Sequence, residues 1–218
     1  MKTEKFVDSM KQIKLKLEEE DKARDEVLQM QRNIIRVCSE AIKSLHRKEY
    51  QTTDEKIREA QEKNKLMIKK IKGIKTLECW RGLNDVAQEL GEAIFISSIV
   101  RKDEIPSVEE CQISFSSYML AASDTIGELR RFMLDSLRML DFDNAKRAFE
   151  YMDYLYSELM TVDYTKMLVG PLRSKLDVGR NLVNKSRTDL INAQQAHDLK
   201  ESMSNLSNKL EKFKKKHS

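Results

Sequence analysis

The sequence predicts an all-α protein, and three observations carry that prediction. Gly and Pro number only 6 and 2 in 218 residues, too few for a chain with many turns. Leu, Met, Lys, Glu and Arg, all good helix formers, are plentiful. Apolar residues recur at three- and four-residue intervals through most of the chain, which is the period of one helix face. The 40% apolar share supplies one good core, and the 35% charged share calls for long helices to carry it at the surface.

From residue 6 to about residue 45, Ile13, Leu17, Val27, Met30, Ile34, Val37, Ala41 and Leu45 keep the helical period. Residues 18–26 are almost wholly charged. One long helix with a protruding start fits this pattern, and so do two helices with a break near Glu20. Arg24, Arg32, Arg36, Lys43, His46 and Arg47 lie partly on one face, either as solvated surface or as a strip for phosphates. Thr52 and Glu55 have capping-box spacing and open a second helix over about 54–72. Its apolar stripe is narrow (Ile57, Ala60, Leu66, Met67, Ile71), and Gly73 stops it.

A third helix is expected from just after Thr76 to about Val100, with Trp80, Leu83, Ala87, Leu90 and Ile94 inward. Pro106, Ser107 and Glu110 mark the next start, and a break falls at 112–114. The following helix, 115–140, buries Phe115, Met119, Ala122, Ile126, Leu129, Met133 and Leu137. Asp141 caps a helix to about Leu159, around whose end Tyr151, Tyr154, Tyr156 and Tyr164 cluster. Gly170-Pro171 opens the last core helix, to about Ala193. In the tail, Leu199, Met203, Leu206, Leu210 and Phe213 keep a 4-3-4-3 spacing. That is a short coiled-coil seam, which either docks on its own body or pairs with another subunit.

The formal charge of +4 and a pI near 8.8 permit a polyanionic partner without demanding one. From residue 166 onward, twelve Lys and Arg stand against five Asp and Glu, so the basic balance sits in the last quarter. Cys38, Cys79 and Cys111 are odd in number and lack CxxC spacing. They indicate neither a disulfide framework nor a thiolate zinc site and suit a reducing compartment. The start of the chain has no apolar leader core, and the run 93–100 is far short of a membrane span. The expectation is a cytoplasmic chain with no membrane partner. His46, His197 and His217 are the only histidines, so any metal must be a hard cation on oxygen ligands, Mg²⁺ or Mn²⁺.

Oxygen ligands are available. Glu89 and Glu92 stand three apart and Asp124 and Glu128 four apart, each pair on one helix face. If the two helices faced each other antiparallel, four carboxylates would converge. Their mutual repulsion would then raise a pKa, push the helices apart or recruit a cation. A divalent ion in such a set lowers the pKa of bound water and neutralises phosphoryl oxygens. Against this, acidic pairs on solvated faces are common in a chain with 36 Asp and Glu.

The residues around these pairs resemble a known family. Gly82-Leu83-Asn84, Gln88-Glu89-Leu90-Gly91-Glu92-Ala93 and Arg101-Lys102 resemble the translin/TRAX family, in its TRAX branch. So does Tyr118-Met119-Leu120-Ala121-Ala122-Ser123-Asp124-Thr125-Ile126-Gly127-Glu128-Leu129-Arg130-Arg131. Residues 21–24, Arg32-Asn33-Ile34, Leu45-His46-Arg47 and 172–190 add to the match, which covers about residues 10–193. The compact chain suits an archaeal member.

The resemblance implies a seven-helix translin-like bundle over 1–193, followed by an additional amphipathic helix in a basic tail at 194–218. It implies a homo-oligomer, usually an octamer, that binds single-stranded RNA or DNA. In the TRAX branch it implies a Mg²⁺- or Mn²⁺-dependent endoribonuclease. The family's Glu-x-x-Glu falls on Glu89 and Glu92, and its Asp-x-x-x-Glu on Asp124 and Glu128, as metal ligands and catalytic residues. Its nucleic-acid contacts carry over loosely onto Arg24, Arg32, Arg36, Arg173, Lys175 and Arg180. The alternative is a translin-type protein that binds single-stranded RNA or DNA, with sequence preference and without cleaving it.

Overall fold

The structure, a computed structural model, describes residues 3–216; the side chains of residue 211 and of residues 213–216 lie outside that description. Among the described residues the chain forms nine helices: α1 (Glu4–His46), α2 (Tyr50–Ile71), α3 (Lys75–Glu78), α4 (Gly82–Lys102), α5 (Val108–Cys111), α6 (Phe115–Arg138), α7 (Phe142–Met160), α8 (Lys166–Val169) and α9 (Leu172–Lys216). The all-α class is as expected, but the helix number is nine where seven and a tail helix were expected. Three of the nine, α3, α5 and α8, are single turns of four residues. The chain packs as two compact units, Met1–Ala122 and Ser123–Ser218.

In the first unit, α1 packs against α2 and α4, and α2 also touches α4. α1 is one unbroken helix of 43 residues, which settles the alternative of a break near Glu20. Its second half supplies the core through Val27, Ile34, Val37, Cys38, Ala41 and Leu45, while Phe6, Ile13 and Leu17 of its first half are exposed. Lys63 of α2 donates to Asn33 of α1 at 2.6 Å, and Lys56 of α2 pairs with Glu40 of α1 at 3.2 Å.

The start of α2 departs from expectation. The helix begins at Tyr50 after Glu49, with no side-chain cap, so the Thr52/Glu55 box is not used. Thr53 Oγ1 instead donates to the Glu49 carbonyl at 3.0 Å, inside the helix. Leu66, expected in the stripe, is exposed. Gly73 does end the helix region, at φ +91°, a conformation that glycine reaches without a Cβ penalty.

The expected third helix is two. α3 stops at Glu78, and Trp80 lies in the break before α4 rather than on its inner face. Its ring covers the Gly82 backbone so closely that a Cβ there would lie 2.2 Å from ring atoms. Inside α4, Val86 is fully buried while Leu83 and Ala87 are only partly so. From Ala93 to Ile99 every residue is buried, so the stretch behaves as core on all sides. Asp103 closes α4 in the left-handed region at φ +59°.

Ser107 and Glu110 form the expected capping box, with Glu110 N donating to Ser107 Oγ at 3.2 Å and Ser107 N to Glu110 Oε2 at 2.7 Å. Gln112, at φ +54°, makes the expected break before α6. Phe115 is 77% exposed, against expectation, because it is the first residue of α6. Met119 and Leu137 are half-buried.

In the second unit, α7 packs against α9. Asp141 caps α7 as expected, accepting from Asn144 N at 3.1 Å. Ala145, Ala148, Met152, Leu155 and Leu159 of α7 are buried, as are Ile126, Leu129 and Met133 of α6. α9 contributes Leu172, Leu176, Gly179, Val183 and Ser186, a 4-3-4-3 seam. Gly179 sits where a Cβ would lie 3.5 Å from Ile126 and 3.6 Å from Tyr156.

The expected separate tail helix is the continuation of α9, which runs 45 residues without a break. No Gly or Pro follows Gly179, so nothing in the sequence stops the helix. The tail seam is one residue out of phase with the inner seam: continuing the inner seam from Ser186 leads to Lys200, not Leu199. One residue is about 100° around a helix. Leu199, Met203, Leu206 and Leu210 are accordingly all exposed. Phe213 lies outside the described side chains.

Candidate functional site

Glu89 and Glu92 are half-buried on α4, each next in sequence to a core residue, Leu90 and Ala93. The residue that sets them there is Gly91. A Cβ on it would come within 2.7 Å of both Ala121 Cβ and Ile113 Cδ1, so only glycine lets this backbone approach so closely. Cys38 of α1 senses the pair. Its thiol is pushed up to about 12, first by burial and then by the charges of Glu89 and Glu92. The charges of both carboxylates thus reach Cys38 of α1.

In the second unit, Asp124 and Glu128 are half-buried on α6. Asp124 Oδ1 receives Lys175 Nζ of α9 at 2.5 Å, with the two side chains 24% and 26% exposed. Glu128 lies 3.7 Å from Arg131 one turn on. Beside the Asp124–Lys175 pair is a groove of about 450 Å³ lined by Ser123, Gly127, Ser174 and Gly179 among others. Ser123 Oγ is buried there with no hydrogen-bond partner among the described residues. Gly127 leaves open space, since a Cβ on it would meet nothing within 4 Å.

The other basic candidates divide between the units. On α1, Arg24 is exposed and pairs with Asp21 at 3.4 Å and Asp25 at 3.7 Å. Arg36 pairs with Glu40 at 2.9 Å, and Arg32 is exposed. On α9, Arg173 lines a groove with Tyr164, Lys166 and Asp177. Arg180 donates to Tyr156 Oη at 3.0 Å and lies 3.9 Å from Asp177. Among the candidates, the structure joins an expected metal ligand to an expected nucleic-acid contact: Asp124 and Lys175. That pairing spans 51 residues and has no signature in local spacing.

Sequence reasoning also passed over Lys65, Lys69 and Lys72, which with Asn64, Ile68 and Leu83 line a groove of about 680 Å³ in the first unit. Their i, i+4, i+7 spacing, over the last turns of α2 and the residue that follows it, was the available signal.

The donor chemistry suits a hard divalent ion, since all four acidic candidates offer carboxylate oxygens. The grouping does not. Among the described residues no three His, Cys, Asp or Glu side chains gather as a set able to hold a metal, and a lysine ammonium sits on Asp124.

Comparison with known proteins adds a second line. No protein-family model matches the chain. The uncharacterized protein MJ0175 of Methanocaldococcus jannaschii is 32% identical over 188 residues, 85% of this chain and 82% of that protein. The chain belongs to the same family as MJ0175. Among solved structures, AfC3PO in a complex with duplex RNA matches with a TM-score of 0.75 and 27% identity, covering 86% of this chain and 97% of that one. Apo-NeC3PO matches with a TM-score of 0.74 and 25% identity, over 86% and 96% of the two chains. These are C3PO proteins of translin/TRAX-like type, so the all-α fold of this family member is the translin/TRAX-like one. No helix among its described residues is long and apolar enough to cross a membrane.

Proposed function

We propose that the chain is an endoribonuclease of the TRAX type that cleaves single-stranded RNA with Mg²⁺ or Mn²⁺ as cofactor, acting as a homo-oligomer, an octamer. The observation that carries this reading is the match to the C3PO structures over 97% of AfC3PO, one of them a complex with duplex RNA. Likeness to C3PO supports an RNase-type function in general; the residue assignments are our own. Glu89, Glu92, Asp124 and Glu128 are the acidic residues of the reaction, and Arg24, Arg32, Arg36, Arg173, Lys175 and Arg180 are the contacts for phosphates.

A second reading is a translin-type protein that binds RNA or DNA without cleaving it. It is favoured by the lysine on Asp124 and by the lack of a gathered donor set among the described residues. The two readings separate in one assay. End-labelled single-stranded and duplex RNA are incubated with the protein and Mn²⁺, for wild type and Glu89→Ala. The proposal expects internal cleavage of the single strand that the variant loses. Equal rates for both proteins would sink it. Binding without cleavage, weakening steeply as salt rises, would establish the second reading.

A further inference from the structure

We propose that the groove of the first unit binds an adenine nucleotide, with its base on the Asn64 amide and its phosphate on Lys69 and Lys72. The groove is lined from α2, α4 and the junction of α5 with α6. On α4 it takes the face of Leu83 and Ala87. Glu89 and Glu92, six and nine residues on from Leu83, stand about a third and a half of a turn away around the helix. The groove is therefore separate from the acidic set, and the proposal does not rest on the endoribonuclease reading.

α2 lends the groove two parallel rows. Asn64, Ile68 and Ile71 form one at i, i+4 and i+7, and Lys65, Lys69 and Lys72 repeat it one residue on. The first row, with Leu83, Ala87 and Ile113, makes an apolar wall. Asn64 is the exception in it. The residue is 8% exposed, yet its side-chain amide makes no hydrogen bond to any described residue. Burying an amide without a partner is costly, and Met67 and Ile71 nearby show that the stripe takes apolar side chains. Pairing the amide falls to whatever fills the groove. The second row supplies charge. Lys69 and Lys72 are exposed and form no ion pair among the described residues, while Lys65 lies 3.5 Å from Glu62. Glu78, the acidic residue of the lining, accepts from Gly73 N–H at 2.8 Å. The lining is net positive.

Wall, amide and lysines together select the ligand. Inorganic phosphate would use the lysines and leave the wall and the amide idle. An acyl chain would use the wall and leave the amide unpaired. A nucleotide uses all three, with a flat base on the wall, a base edge on the amide and a phosphate on the lysines. The carboxamide points to adenine, whose N6–H donor lies beside its N7 acceptor and is matched in two bonds by an Asn that offers one of each. The volume of about 680 Å³ is in the range of small-molecule sites. Adenosine phosphate of this kind comes either as a free nucleotide or within a single RNA strand.

The test is calorimetric titration of the full chain with AMP, ATP, GMP and UMP and, separately, with single-stranded oligoadenylate and oligouridylate RNA. Metal-free buffer keeps the strands intact. Wild type, Asn64→Leu and the double variant Lys69→Gln/Lys72→Gln are compared, with circular dichroism reporting the fold. Wild type should bind AMP about tenfold tighter than UMP, the discrimination of one two-bond pair. Asn64→Leu should lose that preference. The double variant changes exposed side chains only, so it stays folded and should lose most of its affinity for every nucleotide. Uptake of AMP or ATP upholds the proposal with a free nucleotide as ligand, and uptake of oligoadenylate alone upholds it with an RNA strand. Binding of none of them overturns it, as does equal affinity for adenine and uracil, or a double variant that binds as tightly as wild type. Metal-dependent RNA cleavage that Glu89→Ala abolishes, in a chain that takes up no adenine nucleotide, would remove this proposal and leave the endoribonuclease reading standing.

Discussion

Arg130 on α6 holds two residues of α9 at once: Nη1 donates to Ser186 Oγ at 2.7 Å and Nη2 to Asp189 Oδ2 at 2.7 Å. The Arg130 side chain is 19% exposed and Ser186 fully buried. Fork-shaped donation of this kind fixes direction as well as distance. It joins the helix of Asp124 to the helix of Lys175, and so sets the stage on which those two meet.

Arg130→Ala should lower unfolding stability by about 2 kcal/mol, because it strands a buried hydroxyl and frees a carboxylate. Asp189→Asn should cost less, since it keeps a hydrogen-bond acceptor. Urea denaturation followed by circular dichroism measures both; a loss in Arg130→Ala no larger than in Asp189→Asn would mean the fork carries no weight.

Two glycines of the family-like segments should respond in opposite senses. Gly91→Ala places a methyl 2.7 Å from Ala121 and Ile113, an overpacking expected to cost about 1–3 kcal/mol. Gly127→Ala meets nothing within 4 Å inside α6 and should gain about 0.5–1 kcal/mol from lower backbone entropy in the unfolded chain. Thermal melts of the two variants against wild type test the contrast. A destabilised Gly127→Ala would show that the open space above it is not available to a side chain.

The three thiols should separate cleanly by reactivity. Cys38 and Cys111 are buried, each pushed up to about 12 chiefly by burial, while Cys79 is exposed. A rise from 9.0 to about 12 cuts the thiolate fraction at pH 8 roughly a thousand-fold. Because the neutral form is favoured, raising pH toward 9 should leave both buried thiols silent. A disulfide reagent at pH 8 should therefore titrate one thiol in the native chain and three in denaturant. Two fast thiols in the native chain would contradict the burial of Cys38 or Cys111.

The distal part of α9 should be dispensable for stability. Leu199, Met203, Leu206 and Leu210 are all more than half exposed, whereas His197 still touches Phe142, ring to ring at 4.8 Å. A chain ending at Lys200 should keep the wild-type melting midpoint, read by circular dichroism. A lower midpoint for the shortened chain would show that the stripe is covered in solution.

Signals that act locally were legible in the sequence. Ser107 with Glu110, Asp141, Gly73 and the break at Gln112 each specify a backbone conformation by their own chemistry, and each is where the sequence placed it. What escaped was decided by neighbours far along the chain. Trp80 keeps helical spacing with Leu77 and Leu83, yet it lies in the break between α3 and α4 with its ring over Gly82. Ile96 and Ile99 lie off the inward stripe of Leu83, Ala87, Leu90 and Ile94, yet both are core, because every residue of α4 from Ala93 to Ile99 is buried. The four acidic candidates were visible as helix-face pairs, but the lysine that meets Asp124 was visible only as part of a basic C-terminal quarter.

Cys79 has a practical consequence. It stands between α3 and α4, three residues ahead of the helix that carries Glu89 and Glu92, and it is the exposed one of the three thiols. A fluorophore or spin label can therefore be attached to the natural sequence, with no cysteine removed, and report from the entrance of the acidic helix as metal or RNA is added.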